Sequence, residues 1–124
     1  MPAPKDVHDF LTDSHPGLAA LALWVRETVL AGEPDLTERV YLGWDGIGFL
    51  HPDAGYVCAI YPREQDQEVR LLFEHGVHLD DRESLLEGAG TQTRFIRVRE
   101  RDDRLAAAIG RYVYAAVAER LFRR

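Results

Sequence analysis

The stretch Gly76-Val-His-Leu-Asp-Asp-Arg-Glu-Ser-Leu-Leu-Glu-Gly88, which runs on to Arg94-Phe-Ile-Arg-Val98, decides the fold of this chain. A run of strand-forming residues ends just before it, at Phe73. A glycine, an acidic turn and a Leu-Leu-Glu-Gly bend follow, and a second strand-like run begins near Thr93. Tight turns between short extended runs predict an antiparallel arrangement of these strands.

The same alternation of apolar runs and turn residues continues on both sides of this stretch. Apolar residues at helical spacing predict a helical turn over residues 6–12 and a helix from Pro16 to Leu30. A longer helix is predicted from Asp102 or Asp103 to about Phe122. Five strands are predicted between the two long helices: Glu38–Leu42, Gly46–Leu50, Tyr56–Tyr61, Glu68–Glu74 and Thr93–Arg99.

This order of elements predicts an α+β fold. Two layers are expected, an antiparallel five-stranded sheet with the N- and C-terminal helices on one face (α-β-β-β-β-β-α). The length of 124 residues suits a single domain over residues 1–124. The other face of the sheet is expected to be open or to pair with another copy, so an exposed apolar face there would favour a homodimer.

The charge and the rare residue types argue against several classes of function. The formal net charge is −6, which disfavours nucleic-acid binding because phosphate contacts need a basic surface. Lys5 is the only lysine, which argues against Schiff-base chemistry and a P-loop. The single cysteine, Cys58, lies in an apolar run and is interpreted as a buried core residue. No nucleophile, base and orienting group share a recognisable pattern, so the chain is interpreted as non-enzymatic, and no cofactor is predicted.

The sequence has neither the pattern of a secretory signal nor an apolar run of membrane-spanning length. The chain does not open on an apolar segment behind a basic start, and its longest apolar run, near Leu18 to Trp24, is too short to span a bilayer. The sequence therefore predicts a cytoplasmic protein with no membrane partner.

Arg94 is the charged residue with the most specific predicted position. Period-two alternation places it on the same face as Ile96, so it is expected to point inward at the edge of the sheet. An inward arginine needs a carboxylate, and Glu38 and Glu87 are the candidates. Two interpretations stay open: a salt bridge that holds the bend over residues 85–90 on the sheet, or an arginine that binds a small carboxylate or phosphate ligand.

A ligand site is predicted on the sheet face around this arginine. Trp44 lies in a glycine-rich bend and is a candidate for a pocket mouth, where aromatic side chains beside a few polar groups are typical. A small anionic ligand is the expected occupant. The predicted binding residues are Glu38, Trp44, Tyr61, Glu87 and Arg94.

Two other groups of polar residues have less specific interpretations. A local basic stripe is interpreted as a solvated edge strand whose charges block edge-to-edge pairing, with nucleic-acid contact as the alternative; it comprises Arg97, Arg99, Arg101 and Arg104. A second group could supply nitrogen and oxygen ligands to a divalent metal, but is interpreted as a polar loop, and no metal site is assigned; it comprises His75, His78, Asp80 and Asp81.

The order of residues in the decisive stretch resembles the YdhG-like family, known as domain of unknown function 1801. The positions that fit its pattern are Phe73, Gly76, Leu79, Asp81, Leu85, Leu86, Glu87, Gly88, Gly90, Arg94 and Ile96. Arg82 and Thr91 depart from it, since proline and lysine are usual there. The resemblance implies a fold similar to that of frataxin, and some family members are labelled intracellular iron chaperones.

Three functions are therefore in competition, of which an enzyme that uses a histidine and a carboxylate for acid–base chemistry is the least favoured. The first is a small binding domain that takes a ligand or partner on its sheet face. The second is a frataxin-like iron chaperone or metal carrier, for which Asp6, Asp9 and Asp13 are the nearest substitute for an acidic ridge.

Overall fold

Three helices flank the strands in the computed structural model, which describes residues 5–123 and the side chains from Asp6 onward. They are α1 (Lys5–Thr12), α2 (Pro16–Gly32) and α3 (Asp103–Arg123). His15 caps α2, because its Nδ1 atom accepts a hydrogen bond from the Gly17 amide at 3.1 Å. The Asp102 carboxylate caps α3 by accepting from two amides of its first turn, at 2.7 and 3.1 Å.

Six strands form one antiparallel sheet. They are β1 (Thr37–Tyr41), β2 (Gly46–His51), β3 (Gly55–Arg63), β4 (Glu68–Phe73), β5 (Leu86–Glu87) and β6 (Arg94–Val98). Their order across the sheet is β1-β2-β3-β4-β6-β5. The predicted α+β class and the antiparallel open sheet are therefore confirmed, with one strand more than the five expected.

The additional strand is the Leu-Leu-Glu-Gly bend itself. Leu86 pairs with Ile96, and Glu87 pairs with Phe95, so the bend is held against β6 by backbone pairing. Two residues are too few to show period-two alternation, which is why the sequence marks a bend here but no strand.

The Asp81 side chain fixes the loop that leads into β5. Its carboxylate accepts hydrogen bonds from the Leu85 amide at 2.8 Å, the Leu86 amide at 3.2 Å and the Tyr112 hydroxyl at 2.6 Å. Burial and the contact with Asp81 raise the pKa of Tyr112 to about 12, so its hydroxyl stays protonated at neutral pH. The loop is thereby tied to α3 as well as to β6.

One face of the sheet packs against the helices and forms the core. A row of apolar residues crosses all six strands in register: Val40, Ile47, Ile60, Leu71, Ile96 and Leu86. Helices α2 and α3 pack against each other and both contact β3, so they lie on the same face of the sheet. Val25 and Val29 of α2 and Ile109 and Val113 of α3 are fully buried in this layer.

The opposite face of the sheet carries a different set of side chains. The neighbouring row in register reads Arg39, Gly48, Ala59, Leu72, Phe95 and Glu87 from β1 to β5. Since α2 and α3 share the other face, we call this side the open face.

No helix within residues 5–123 is both long and apolar enough to cross a bilayer.

Candidate functional site

An aromatic cluster stands on the open face at the β1–β2 end of the sheet. The rings of Tyr41 and Trp44 stack with their centres 4.4 Å apart and their planes 11° from parallel. Tyr56 meets both rings edge-on, at 6.3 Å from Tyr41 and 6.1 Å from Trp44. Trp44 nevertheless stays 54% exposed, so its indole is accessible to a ligand.

Two glycines of β2 allow the rings to lie directly on the sheet. A Cβ atom at Gly48 would lie 2.5 Å from the Tyr41 ring and 3.0 Å from the Tyr56 ring. A Cβ atom at Gly46 would lie 2.7 Å from the Tyr61 ring. Any side chain at these positions would displace the rings, so the glycines determine where the aromatic surface lies.

A groove crosses the open face beside this cluster. It consists of two adjoining cavities, of about 340 Å³ and about 300 Å³, which share Tyr61 and Arg63 in their walls. Trp44, Asp45 and Glu64 line one end. Arg70, Phe95 and the backbone of 88–90 line the other end. Each cavity lies at the lower limit of the volumes that hold small-molecule ligands.

Arg70 is held in place at its end of the groove. Its Nε atom lies 2.7 Å from the Glu68 carboxylate, and its guanidinium carbon lies 4.6 Å from the centre of the Phe95 ring. This arrangement combines an ion pair with a cation–π contact. The guanidinium is thus oriented before any ligand arrives, which lowers the entropic cost of binding.

Glu68 is a fully buried carboxylate on the open face, beneath three arginines. Besides Arg70, the Arg99 guanidinium lies 3.3 Å and the Arg97 guanidinium 3.6 Å from its oxygens. Burial alone would raise the pKa of Glu68, but the three positive charges outweigh it and hold the pKa below its usual value. Glu68 therefore stays ionised and keeps the arginines together.

The predicted interpretation of the basic stripe as a solvated edge strand is wrong for two of its members. Arg97 and Arg99 are ion-paired with Glu68, and β6 lies between β4 and β5 in the sheet. The carboxylate that collects them comes from a strand about thirty residues earlier, so local sequence alone did not reveal it.

Three of the five predicted binding residues lie on the open face. Trp44 and Tyr61 line the groove. Glu87 occupies the same row as Phe95, and its carboxylate pairs with Arg97 at 3.2 Å. The other two predicted residues, Glu38 and Arg94, lie on the helix-facing side of the sheet.

Glu38 is engaged by α2 and does not meet Arg94. Its two oxygens accept hydrogen bonds from Nε and Nη2 of Arg26, each at 2.7 Å, and the Arg26 side chain is only 1% exposed. The hydrogen bond to Glu38 raises the pKa of Arg26. Glu38 therefore closes a buried ion pair between α2 and β1.

Arg94 shares the face of Ile96 as predicted, but the prediction that a carboxylate pairs with it is wrong. Its Nη1 atom donates to the backbone carbonyls of Gly90 at 2.6 Å and Thr93 at 2.7 Å. Glu87, the other candidate partner, is paired with Arg97 instead. Arg94 thus closes the bend through backbone acceptors, which a search for carboxylates cannot find.

The polar loop with two histidines does not assemble into a metal-binding group in the structure. Asp80 pairs with Arg82 at 2.8 Å, and Asp81 accepts the loop amides and the Tyr112 hydroxyl. The rings of His75 and His78 stack 6.5 Å apart.

One other cluster among the described residues has the spacing of metal ligands: Glu33, Asp35 and His51 offer atoms within 4.8 Å of one another. The Nδ1 atom of His51, however, accepts hydrogen bonds from the amides of Asp53 and Ala54, at 3.1 and 3.2 Å. A neutral imidazole then carries its proton on Nε2, which removes the lone pair of that atom from metal binding.

Sequence reasoning missed Arg63, Arg70 and Phe95 as groove residues. Period-two alternation places Phe95 on the face opposite Ile96, and Arg70 occupies the position opposite Tyr61 in the β3–β4 register. Applying the same alternation to β3 and β4 would have placed Tyr61, Arg70 and Phe95 on one face of the sheet.

Comparisons with known proteins give no relative: no family model matches the chain, and neither a curated protein nor a solved structure matches it.

Proposed function

We propose that this protein is a small binding domain without catalytic chemistry, and that it takes a small, ring-bearing anion in the groove on its open face. One observation carries the proposal: aromatic walls and two arginines meet in a cavity of about 340 Å³ whose lining includes no carboxylate. Tyr61 and Phe95 offer ring faces, and Arg63 and Arg70 offer N–H donors in the fork that suits carboxylate and phosphate groups.

The proposal changes which residues bind the anion. Trp44 and Tyr61 remain in the proposed site, whereas Glu87 lines neither cavity and pairs with Arg97. Arg63 and Arg70 take the role first given to Arg94, whose Nη1 atom is occupied by the bend. The Arg63 side chain is 42% exposed at the shared wall of both cavities, and its Nε atom pairs with Asp66 at 3.0 Å. The same carboxylate lies 3.8 Å from Nη2 of Arg70, so a bound anion would join an existing ion-pair network.

The absence of catalytic chemistry is supported by the state of the single thiol. Cys58 is fully buried in the core, and burial raises its pKa, so little thiolate forms at neutral pH. A buried thiol of this kind is a packing residue and not a nucleophile.

Phenyl phosphate is a suitable first probe because it joins a ring to an anion. Titration followed by amide NMR spectra is expected to shift the Trp44 and Tyr61 signals and those of residues 88–90, with benzyl alcohol and inorganic phosphate giving much smaller shifts. Arg63→Gln should weaken binding by about tenfold, the value of a charge-assisted hydrogen bond. The matched control is Arg104→Gln, at an exposed position at the start of α3 that lines neither cavity of the groove.

Two results of this titration would contradict the proposal. Shifts confined to the helix layer would place the ligand elsewhere, and equal affinities of the Arg63→Gln and Arg104→Gln proteins would remove the arginine from recognition. A change from monomer to dimer on size-exclusion chromatography, with the open face protected, would replace the small ligand by a second copy of the chain.

The alternative function is a frataxin-like metal carrier. The cluster of Glu33, Asp35 and His51 is the observation in its favour, but the tautomer of His51 weakens it. Titration with ferrous iron or zinc tests it: saturable shifts at these three residues would favour a carrier. Membership of the YdhG-like family and a cytoplasmic location are further proposals.

A further inference from the structure

We propose that the groove selects a zwitterion: a ligand with a negative group at the Arg70 end, an apolar or aromatic body, and a positive group at the Trp44 end. This inference rests on the proposed function, because it assigns a second charge to the ligand of the same groove.

The acidic end of the groove is the observation behind it. Asp45 and Glu64 line the cavity beside Trp44, and neither carboxylate forms an ion pair with a side chain that the structure describes. Among the described residues, the Glu64 carboxylate accepts one hydrogen bond, from the His15 amide at 2.9 Å. Arg63 also lines this cavity but pairs with Asp66, so the two carboxylates without an ion pair disfavour an anion at this end and favour a cation.

Trp44 adds a second attraction for a positive group. Its ring is stacked on Tyr41 and 54% exposed, so one indole face is supported while the side chain remains open to a ligand. Tryptophan is the aromatic side chain that binds cations best through its ring face. A cation at this end would therefore meet two carboxylates and an aromatic face.

Further carboxylates lie next to the acidic end of the groove. A larger cavity, of about 680 Å³, shares Asp45 and Glu64 with the groove and adds three carboxylates from α1 and the turn after it, those of Asp6, Asp9 and Asp13. No arginine lines this cavity. At its Trp44 end the groove therefore adjoins a region of several carboxylates.

The separation of the two ends sets the length of the ligand. Arg70 lies on β4 and Asp45 at the start of β2, with β3 between them. Two inter-strand spacings of about 4.8 Å give roughly 10 Å. Three residues of extended chain span about the same distance. A zwitterion of the length of a tripeptide therefore matches the groove.

Three forms of one peptide test the proposal: Gly-Phe-Gly with free termini, its N-acetylated form, which lacks the positive charge, and its C-amidated form, which lacks the negative charge. Isothermal titration calorimetry at low salt measures each affinity. We expect the free peptide to bind about fivefold or more tightly than either blocked form, as one partly exposed charge contact allows.

Variants at the acidic end separate the two charges. In the double variant Asp45→Asn with Glu64→Gln, N-acetylation of the peptide should no longer weaken its binding, whereas C-amidation should still weaken it. Asp45 has φ of 54°, a left-handed conformation that asparagine also tolerates, so the fold should persist; circular dichroism checks this, and Asp45→Asn alone serves if the double variant does not fold.

The outcomes separate this inference from the proposed function. Equal affinities of the free and N-acetylated peptides for the unaltered protein would overturn the inference. Binding of phenyl phosphate without any gain from the free amino terminus would overturn it too, and would leave the anion site standing. Failure of phenyl phosphate and of all three peptides to bind would overturn both.

Discussion

The close approach of Gly76 to β6 gives the sharpest prediction about the fold. A Cβ atom at Gly76 would lie 2.6 Å from the Cβ atom of Arg94 and 2.7 Å from its amide nitrogen. Non-bonded carbon atoms rest about 3.5–4.0 Å apart, so Gly76→Ala must move the two segments apart by about 1 Å. The Val77 amide, which donates to the Gln92 carbonyl at 3.0 Å, resists that movement.

The cost of the substitution follows from the atoms that must move. Overpacking costs about 1–3 kcal/mol, and we expect the upper end because the obstacle is backbone of a paired strand. With a urea slope of about 1.5 kcal/mol/M, the midpoint of unfolding should fall by about 2 M. Gly90→Ala is the matched control: its nearest neighbour is Thr93 Oγ1 at 3.7 Å, and we expect a change below about 0.5 kcal/mol. Equal unfolding midpoints for the two variants would show that the close approach of Gly76 to β6 does not determine the cost of the substitution.

Three further predictions concern buried groups. Arg26→Met leaves Glu38 unpaired and should destabilise the fold by about 3 kcal/mol in urea unfolding, and adding Glu38→Gln should recover part of the loss; no recovery would argue against the pair as the cause. Glu68→Gln should lower the free energy of unfolding at neutral pH. Because the pKa of Glu68 in the folded state lies below its ordinary 4.5, the difference in unfolding free energy from the unaltered protein should shrink as the pH falls below that value. A constant difference from neutral pH to pH 3 would contradict this. Cys58 should react with a thiol reagent only on unfolding, and fast modification of the native protein would contradict its burial.

The elements of the fold were predictable because their signals are local. Pro16 and Gly32 mark the two ends of α2, Asp102 marks the start of α3, and period-two runs bounded by turn residues mark β2, β3, β4 and β6. The strand β5 left no such signal, since its two residues are defined only by their partners on β6. Element boundaries that depend on long-range pairing cannot be read from spacing alone.

The partners of the charged residues were much harder to predict. A single charged residue on the apolar face of a helix, such as Arg26, indicates a buried ion pair. The neighbouring sequence does not identify Glu38 as the partner. Arg94 was expected to meet a carboxylate and instead meets carbonyl oxygens, which every residue carries. The positions of charged residues in the sequence therefore indicated which residues matter to the fold, but they did not predict the partner that each residue contacts.

The same limitation applies to the candidate site. Trp44 was found because an aromatic residue in a glycine-rich bend is conspicuous in a sequence, and Tyr61 because it is an aromatic residue of a predicted strand. Arg63 and Arg70 were overlooked, because the groove that joins them to Tyr61 exists only once β3 and β4 are in register.

A crystal structure of the protein with phenyl phosphate tests the central proposal most directly. We expect the ring to lie between Tyr61 and Phe95 and the phosphate to lie within hydrogen-bonding distance of Arg63 or Arg70. A ligand bound at Glu33 and His51, or between α2 and α3, with the groove left unchanged, would contradict it.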